Sequence, residues 1–169
     1  ASLATGTTAA DLCHGFDSVM FCLSKGLCAP VGSMLAGTRL FVEEARRWRK
    51  RLGGGMRQAG VLAAAGIVGL TTMRDRLAED HDNARRLADG LSRVAGLTLD
   101  IPEPLTNIVY VRASGPRFRN RGISAELKTR GVLCNAVGDD RLRFVTHHGI
   151  TGADIDDALV QVAQACGAI

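Results

Sequence analysis

Aromatic side chains are scarce in this sequence, where they make up 4% of 169 residues. Alanine, valine and leucine must therefore fill most of the interior. No basic stretch is interleaved with aromatic residues, and the formal net charge is only +4, so binding to nucleic acid is disfavoured. The remaining composition, 46% hydrophobic and 22% charged, is typical of a globular protein whose modest positive charge suits a small anionic ligand.

Paired cysteines and long apolar runs are also missing. The sequence has five cysteines and no Cys-x-x-Cys, which favours reduced core thiols and a cytoplasmic location, with the mitochondrial matrix as an alternative. The longest apolar run, residues 59–70, is too short to span a bilayer, so we expect no membrane partner. There is no signal peptide, and a start at Ala1 without methionine indicates a fragment or a trimmed chain.

Helical and strand patterns alternate along the chain, which favours an α/β fold. Phe41, Ala45 and Trp48 recur at helical spacing, and Thr151 with Asp154 predicts a capping box that begins the final helix. His81 is expected at the surface or in a cap. We place a domain boundary after residue 72, giving domains 1–72 and 73–169. The predicted strands are 18–23, 33–37, 97–101, 107–112, 132–136 and 141–147, and the other helices are 7–12, 40–51, 57–94 with an interruption near 69–72, and 124–130 with a start near 117.

One segment, residues 17–37, places Lys25 between two apolar runs, 19–23 and 34–36. A cation between buried strands must be paired, solvated or shifted towards neutrality, and only a neutral amine attacks a carbonyl carbon. Spacing alone leaves an ordinary turn lysine as the simpler interpretation, because Gly26, Pro30 and Gly32 mark a turn.

Two arginines are the next candidates. Alternation along 141–147 puts Arg141 and Arg143 on one face of a strand, and both have the guanidinium fork that binds a carboxylate. Periodicity does not separate the two. His147 and His148 are adjacent and point to opposite faces, so we expect no metal site.

Four motifs, in order, resemble those of the L-threonine aldolases. They are Ser24-Lys-Gly-Leu27 with Ala29-Pro-Val-Gly-Ser33, then Leu52-Gly-Gly-Gly-Met-Arg-Gln-Ala-Gly60, Thr106-Asn-Ile-Val109, and Leu142-Arg-Phe-Val-Thr-His147. Cys28 stands where members of that family usually have glycine. Those enzymes are pyridoxal-phosphate-dependent, of the aspartate-aminotransferase fold type I and the beta-eliminating lyase family. The resemblance implies that this chain is the C-terminal part of such an enzyme.

The resemblance also implies roles for individual residues and domains. Residues 1–72 would be the end of a cofactor-binding large domain with a linking helix, and 73–169 a small C-terminal α/β domain. Lys25 would form the Schiff base with pyridoxal 5'-phosphate, and Arg143 rather than Arg141 would bind the substrate carboxylate. Cofactor contacts are expected from Ser24, and from Arg57, where it opens a helix after the glycines 53–55.

Lys50 has two interpretations. In the family this basic segment lies near the active site of a neighbouring subunit, in a homodimer or homotetramer, but a solvated helix charge explains Lys50 equally well.

The implied reaction is cleavage of L-threonine or L-allo-threonine to glycine and an aldehyde, with a small amino acid as the substrate. Two alternatives remain open: another pyridoxal-phosphate-dependent amino-acid lyase or aminotransferase, and a non-catalytic fragment or interaction subunit. In the family, the groups that bind the cofactor ring and much of its phosphate precede the lysine, and only sixteen residues of this chain precede Asp17. We therefore expect this chain alone to be a poor catalyst.

Overall fold

The structure, a computed structural model, describes residues 1–114 and 120–167, without the side chains of residues 120 and 121. The chain divides into two compact units, Ala1–Leu77 and Ala78–Ile169. The division falls after Leu77, whereas the sequence placed it after residue 72. The predicted helix start near Arg117 lies outside the described residues.

The first unit consists of a β-hairpin and helices. The two strands pair antiparallel from Ser18 opposite Gly37 to Cys22 opposite Ser33. Thr38 caps the following helix, since its hydroxyl accepts a hydrogen bond from the Phe41 N–H. In chain order the elements are α1 Ser2–Thr5, α2 Ala9–Leu12, β1 Ser18–Cys22, β2 Ser33–Gly37, α3 Arg39–Arg51, α4 Gly60–Val68 and a π-helical turn, Gly69–Met73.

The hairpin is not buried, contrary to the sequence-based expectation. Every residue of β2 is exposed, and β1 is at most half-buried. An apolar run of this length is equally consistent with a buried and an exposed strand, because burial depends on what packs against it.

The second unit is an antiparallel sheet with helices. The strand order is β3-β4-β6-β5, and all neighbouring strands run antiparallel. Thr151 and Asp154 form the predicted capping box at the start of the last helix. The elements are α5 Leu77–Leu91, which begins in the first unit, β3 Leu97–Leu99, β4 Ile108–Ala113, α6 Asn120–Thr129, β5 Asn135–Val137, β6 Arg141–Val145 and α7 Gly152–Ala165.

One face of this sheet is buried and the other is open. Leu142, Phe144 and Thr146 are buried on the face that joins the helices in the core. Tyr110, Arg141, Arg143 and Asn135 lie on the other face, where none of them is fully buried. The predicted alternation along 141–147 is therefore confirmed.

His81, expected at the surface, is instead buried on α5, where it is 8% exposed. Burial lowers the pKa of its imidazole, because a charged ring loses hydration there. Between residues 1 and 114 and between 120 and 167, no helix has the length and apolar character needed to cross a bilayer.

Candidate functional site

Lys25 lies in a loop that is closed by backbone hydrogen bonds. The Leu23 N–H donates to the Gly32 carbonyl at 2.9 Å, and the Ala29 N–H donates to the Leu23 carbonyl at 3.2 Å. A turn inside the loop is closed by the Cys28 N–H, which donates to the Lys25 carbonyl at 2.9 Å. Leu23 and Ala29 are buried and anchor the loop, while Lys25 is exposed. The loop therefore presents the amine from a defined backbone.

Exposure, not burial, makes this amine available. Lys25 is exposed and, within the part of the chain that the structure describes, its side-chain amine has no hydrogen bond or ion pair. Of the three possibilities that the sequence left open for this cation (paired, solvated or shifted towards neutrality), the structure shows a solvated one, because the β1–β2 hairpin is itself exposed.

Glycines in the helical segment allow the loop to approach closely. A Cβ at Gly69 would lie 2.8 Å from the Leu27 carbonyl oxygen, and a Cβ at Gly66 would lie 2.9 Å from Leu23 Cδ1. Gly69 therefore requires glycine or a shift of the loop backbone, whereas at Gly66 a movement of the Leu23 side chain would make room. Neither glycine was predicted from the sequence to be part of the site. The available signal was their spacing of three in an otherwise regular helical run.

Cys28 adopts a backbone conformation that favours glycine. Its φ is 59°, in the left-handed region that residues with a Cβ rarely occupy. The residue is exposed, so the expectation of a thiol in the core is wrong for Cys28. The thiol donates weakly to the Gly26 carbonyl at 3.5 Å.

Lys50 lies at the end of α3, where the three glycines terminate the helix. The Gly54 N–H donates to the Arg49 carbonyl at 2.8 Å and the Gly53 N–H to the Lys50 carbonyl at 3.2 Å, with Gly53 at φ 82°. This pair of bonds is a Schellman motif. A Cβ at Gly55 would lie 2.6 Å from Lys50 Cδ, so this glycine makes room for the lysine stem.

Arg57 and Ser24 are in the same unit as Lys25 and Lys50. Arg57 is exposed and does not open a helix, because α4 begins three residues later, at Gly60. The backbone of Gln58, which lies between Arg57 and α4, has a non-helical φ of 50°. Ser24 is half-buried, and among the described residues its hydroxyl has no hydrogen bond. The roles assigned to these residues stay predictions.

Arg143 lies in the second unit, at the centre of the open sheet face. It is directly opposite Tyr110 of β4 and Asn135 of β5. The side chain is half-buried, yet in residues 1–114 and 120–167 it has no hydrogen bond and no carboxylate within 4 Å. A half-buried guanidinium without a counter-ion is suited to an anionic ligand.

Arg141 shares this face, but its charge is already paired. Its Nη1 lies 3.4 Å from Oδ2 of Asp100, and its guanidinium carbon lies 5.8 Å from the centre of the Tyr110 ring. The structure thus distinguishes two arginines that strand periodicity left equivalent.

Two of the four sequence motifs meet at Asn107 and Thr146. The Asn107 side chain donates to the Thr146 carbonyl at 2.8 Å, and the Thr146 N–H donates to the Asn107 carbonyl at 3.0 Å. The buried Thr146 hydroxyl also donates to the Asp80 carbonyl at 2.6 Å. These bonds fix the end of the strand that bears Arg143. The described residues contain no group of three His, Cys, Asp or Glu side chains that could hold a metal ion.

Comparison with known proteins identifies similar chains. The family described as beta-eliminating lyase matches residues 1–114. The low-specificity L-threonine aldolase 1 of Arabidopsis thaliana is 40% identical over 166 residues, which are 98% of this chain and 46% of that protein. The low specificity L-threonine aldolase of Escherichia coli (strain K12) is 45% identical over 147 residues, 87% of this chain and 42% of that protein.

A solved structure shows the same fold. It is that of a Listeria monocytogenes EGD-E protein provisionally assigned as an L-allo-threonine aldolase, with a TM-score of 0.79 and 20% identity, over 97% of this chain and 48% of that chain. The chain spans about half the length of the relatives it matches.

Proposed function

Because the chain belongs to the beta-eliminating lyase family, we propose that the complete protein is a threonine aldolase, which cleaves L-threonine or L-allo-threonine to glycine and acetaldehyde. The observation that carries this proposal is the 40% identity over 98% of the chain to a protein named as a low-specificity L-threonine aldolase. The α/β fold and the family predicted from the motifs are confirmed. The reaction itself is proposed for the complete protein, because this chain covers less than half of the length of these relatives.

The residues present fit pyridoxal 5'-phosphate. Lys25 offers an accessible amine on a fixed loop, and a primary amine is what the cofactor aldehyde requires. The cations Lys50 and Arg57 lie in the same unit, and neither has an ion pair among the described residues. In the proposal, Arg57 and Ser24 bind the phosphate. When bound, the cofactor supplies an electron sink for the carbon atom that loses its substituent.

Arg143 would hold the α-carboxylate of the amino acid. Its fork matches the two carboxylate oxygens, and its lack of a counter-ion leaves both N–H pairs available. Binding of the carboxylate by Arg143 would restrict rotation of the substrate and hold the Cα–Cβ bond in one orientation during cleavage. The base that removes the β-hydroxyl proton is not among the residues assigned.

The same proposal includes a homodimer or homotetramer located in the cytoplasm. In this oligomer, Lys50 would lie near the active site of a neighbouring subunit.

Covalent labelling tests the role of Lys25. The sequence has three lysines, so pyridoxal phosphate followed by borohydride reduction and peptide mass analysis compares Lys25 with Lys50 and Lys128 directly. We expect a stable adduct mainly on Lys25, and its loss in Lys25→Ala but not in the control Lys128→Ala. Equal labelling of the three lysines would remove Lys25 from the mechanism.

An activity panel separates the alternatives. The complete protein is assayed with L-threonine, an aromatic amino acid, and an amino acid with a keto-acid acceptor. Acetaldehyde and glycine in equal amounts from threonine are the expected products. Transamination as the dominant activity would favour an aminotransferase, and no reaction together with no labelling would favour a non-catalytic subunit.

A further inference from the structure

Arg112, Arg141 and Arg143 all lie on the open face of the second unit, since Arg112 is directly opposite Arg141. Arg112 is paired with Asp100 and Asp140, and the other two arginines differ in their surroundings. Arg141 and Arg143 are separated by one residue on β6, so their Cα atoms are about 7 Å apart, given the rise of an extended strand. Both side chains point away from the core, because Leu142 and Phe144 are buried on the opposite face. A face of this kind has the spacing to bind two carboxylates of one small molecule.

Asp100 pairs with Arg141, so only Arg143 of these two arginines has no counter-ion among the described residues. Its side chain is only 17% exposed, and its Oδ2 lies 3.4 Å from Nη1 of Arg141. Tyr110 packs against the same guanidinium, with the ring centre 5.8 Å from Cζ. Arg141 is therefore held both by a charge and by an aromatic face.

Asp100 is itself fixed from two sides. Its backbone N–H donates to the Tyr110 carbonyl at 3.0 Å, which extends the pairing of β3 with β4. Its Oδ1 lies 2.8 Å from Nε of Arg112, and Arg112 also pairs with Asp140. The carboxylate of Asp100 thus has a defined position beside Arg141.

We propose that Asp100 determines substrate specificity, by neutralising Arg141 so that Arg143 is the free carboxylate anchor among the arginines described on this face. The protein would then take amino acids with a single carboxylate. A second carboxylate on the side chain, as in 3-hydroxyaspartate, would meet the charge of Asp100 rather than a free guanidinium. The inference rests on the proposed function for the role of Arg143.

Binding of two four-carbon acids tests this without any catalytic step. Butyrate has one carboxylate and succinate has two, and each is titrated into the complete protein while the arginine Nε–H signals are followed by NMR. In Asp100→Asn we expect the Kd of succinate to fall by about tenfold, since its second carboxylate would gain a charge-assisted hydrogen bond to Arg141 in place of repulsion by Asp100. The Kd of butyrate should change by less than about twofold.

Matched variants isolate the cause. Asp140→Asn removes a carboxylate from Arg112 but leaves the Asp100–Arg141 pair, so it should change neither affinity. The double variant Asp100→Asn with Arg141→Gln should lose the gained succinate affinity. An unchanged succinate-to-butyrate ratio in folded Asp100→Asn would overturn the inference.

The outcome distinguishes the inference from the proposed function. If the unsubstituted protein does not bind butyrate, the proposed role of Arg143 is wrong. A gain in succinate affinity that occurs only in Asp100→Asn would still support the neutralisation of Arg141 by Asp100. Should Asp100→Asn fail to fold by circular dichroism, Arg141→Gln alone decides. It should leave butyrate binding unchanged, and a tenfold loss would contradict the assignment of Arg143 as the free anchor.

Discussion

Lys25 and Arg143 are held in place in different ways. The backbone of Lys25 is fixed by hydrogen bonds inside its own loop, with the side chain exposed. Arg143 is fixed by strand pairing, between Tyr110 and Asn135. Neither has an ion pair within the described ranges, so each charge is available to a ligand. The position of Lys25 therefore depends on local sequence, and the position of Arg143 depends on the register of strands that are distant in sequence.

Replacing Arg143 by lysine tests whether the shape of the guanidinium matters. The charge is kept, but the fork that meets both carboxylate oxygens is lost. In the complete protein we expect the KM for L-threonine to rise by about tenfold or more, because a hydrogen bond to a charged group contributes about 1.5–3 kcal/mol. Arg141→Lys is the matched control and should change the KM by less than about twofold, since Asp100 already pairs with Arg141. Equal effects of the two substitutions would contradict the assignment.

At the scale of elements, interactions between residues close in sequence were easier to predict than interactions between residues far apart in sequence. Thr151 and Asp154 lie three residues apart, so their capping box was predicted from sequence alone. The pairing of Arg141 with Asp100 was not, because the two residues are 41 positions apart and meet only through the register of three strands. Arg57 was wrongly placed at a helix start. No side chain caps α4, so the sequence carried no signal for its first residue.

Gly69→Ala tests the contact between the π-helical turn and the lysine loop. The new Cβ would lie 2.8 Å from the Leu27 carbonyl oxygen, and backbone cannot yield as a flexible side chain does. We expect a loss of about 1–3 kcal/mol in the free energy of unfolding, as for other overpacked sites, together with weaker labelling of Lys25. The measurements are urea denaturation and the borohydride assay.

Gly60→Ala provides the control for that substitution. Nothing lies within 4 Å of a Cβ at Gly60, and alanine is favoured over glycine in a helix by about 0.5–1 kcal/mol. Its stability should be unchanged or higher, with normal labelling. A similar loss in both variants would mean that the loop contact does not matter.

The capping box of α7 gives the second unit a defined response to acid. Hydrogen bonds from Thr151 lower the pKa of the Asp154 carboxyl below its usual value of 3.8. A lowered pKa in the folded state stabilises the protein above the unfolded pKa, and this stabilisation is lost as the pH falls through the folded pKa. Thr151→Val should therefore lower the Tm at a pH of about 6 more than at a pH of about 2. Thr129→Val is the control, and a Tm difference independent of pH would contradict the prediction.

At the scale of the whole molecule, the two units differ in how much apolar surface they bury. Among the described residues, the core cluster has fifteen buried apolar residues, all of them in Ala78–Ile169. In the described part of the first unit, the buried apolar side chains are Leu23 and Ala29. Large apolar side chains of the first unit are exposed, among them Phe16, Met20, Leu40, Trp48, Leu52 and Val61. Since burial of apolar surface is the main favourable term in folding, the second unit should be the more stable.

Hydrogen exchange measures this difference directly. Amides of β4 and β6, at the centre of the sheet, should exchange by global unfolding and be the slowest in the chain. Amides of the β1–β2 hairpin should exchange faster, by local opening, because two strands alone are marginally stable. Peptide-resolved mass spectrometry of the 169-residue chain distinguishes the two, and uniform protection would refute the predicted order of stability.

The closure of the lysine loop by main-chain atoms has a consequence for protein engineering. Because main-chain carbonyl and amide groups set the path of the loop, a side chain outside the assigned site, such as that of Val31, can be exchanged without relocating the amine. A library randomised at Val31 would therefore explore new chemistry around a nucleophile whose position is unchanged.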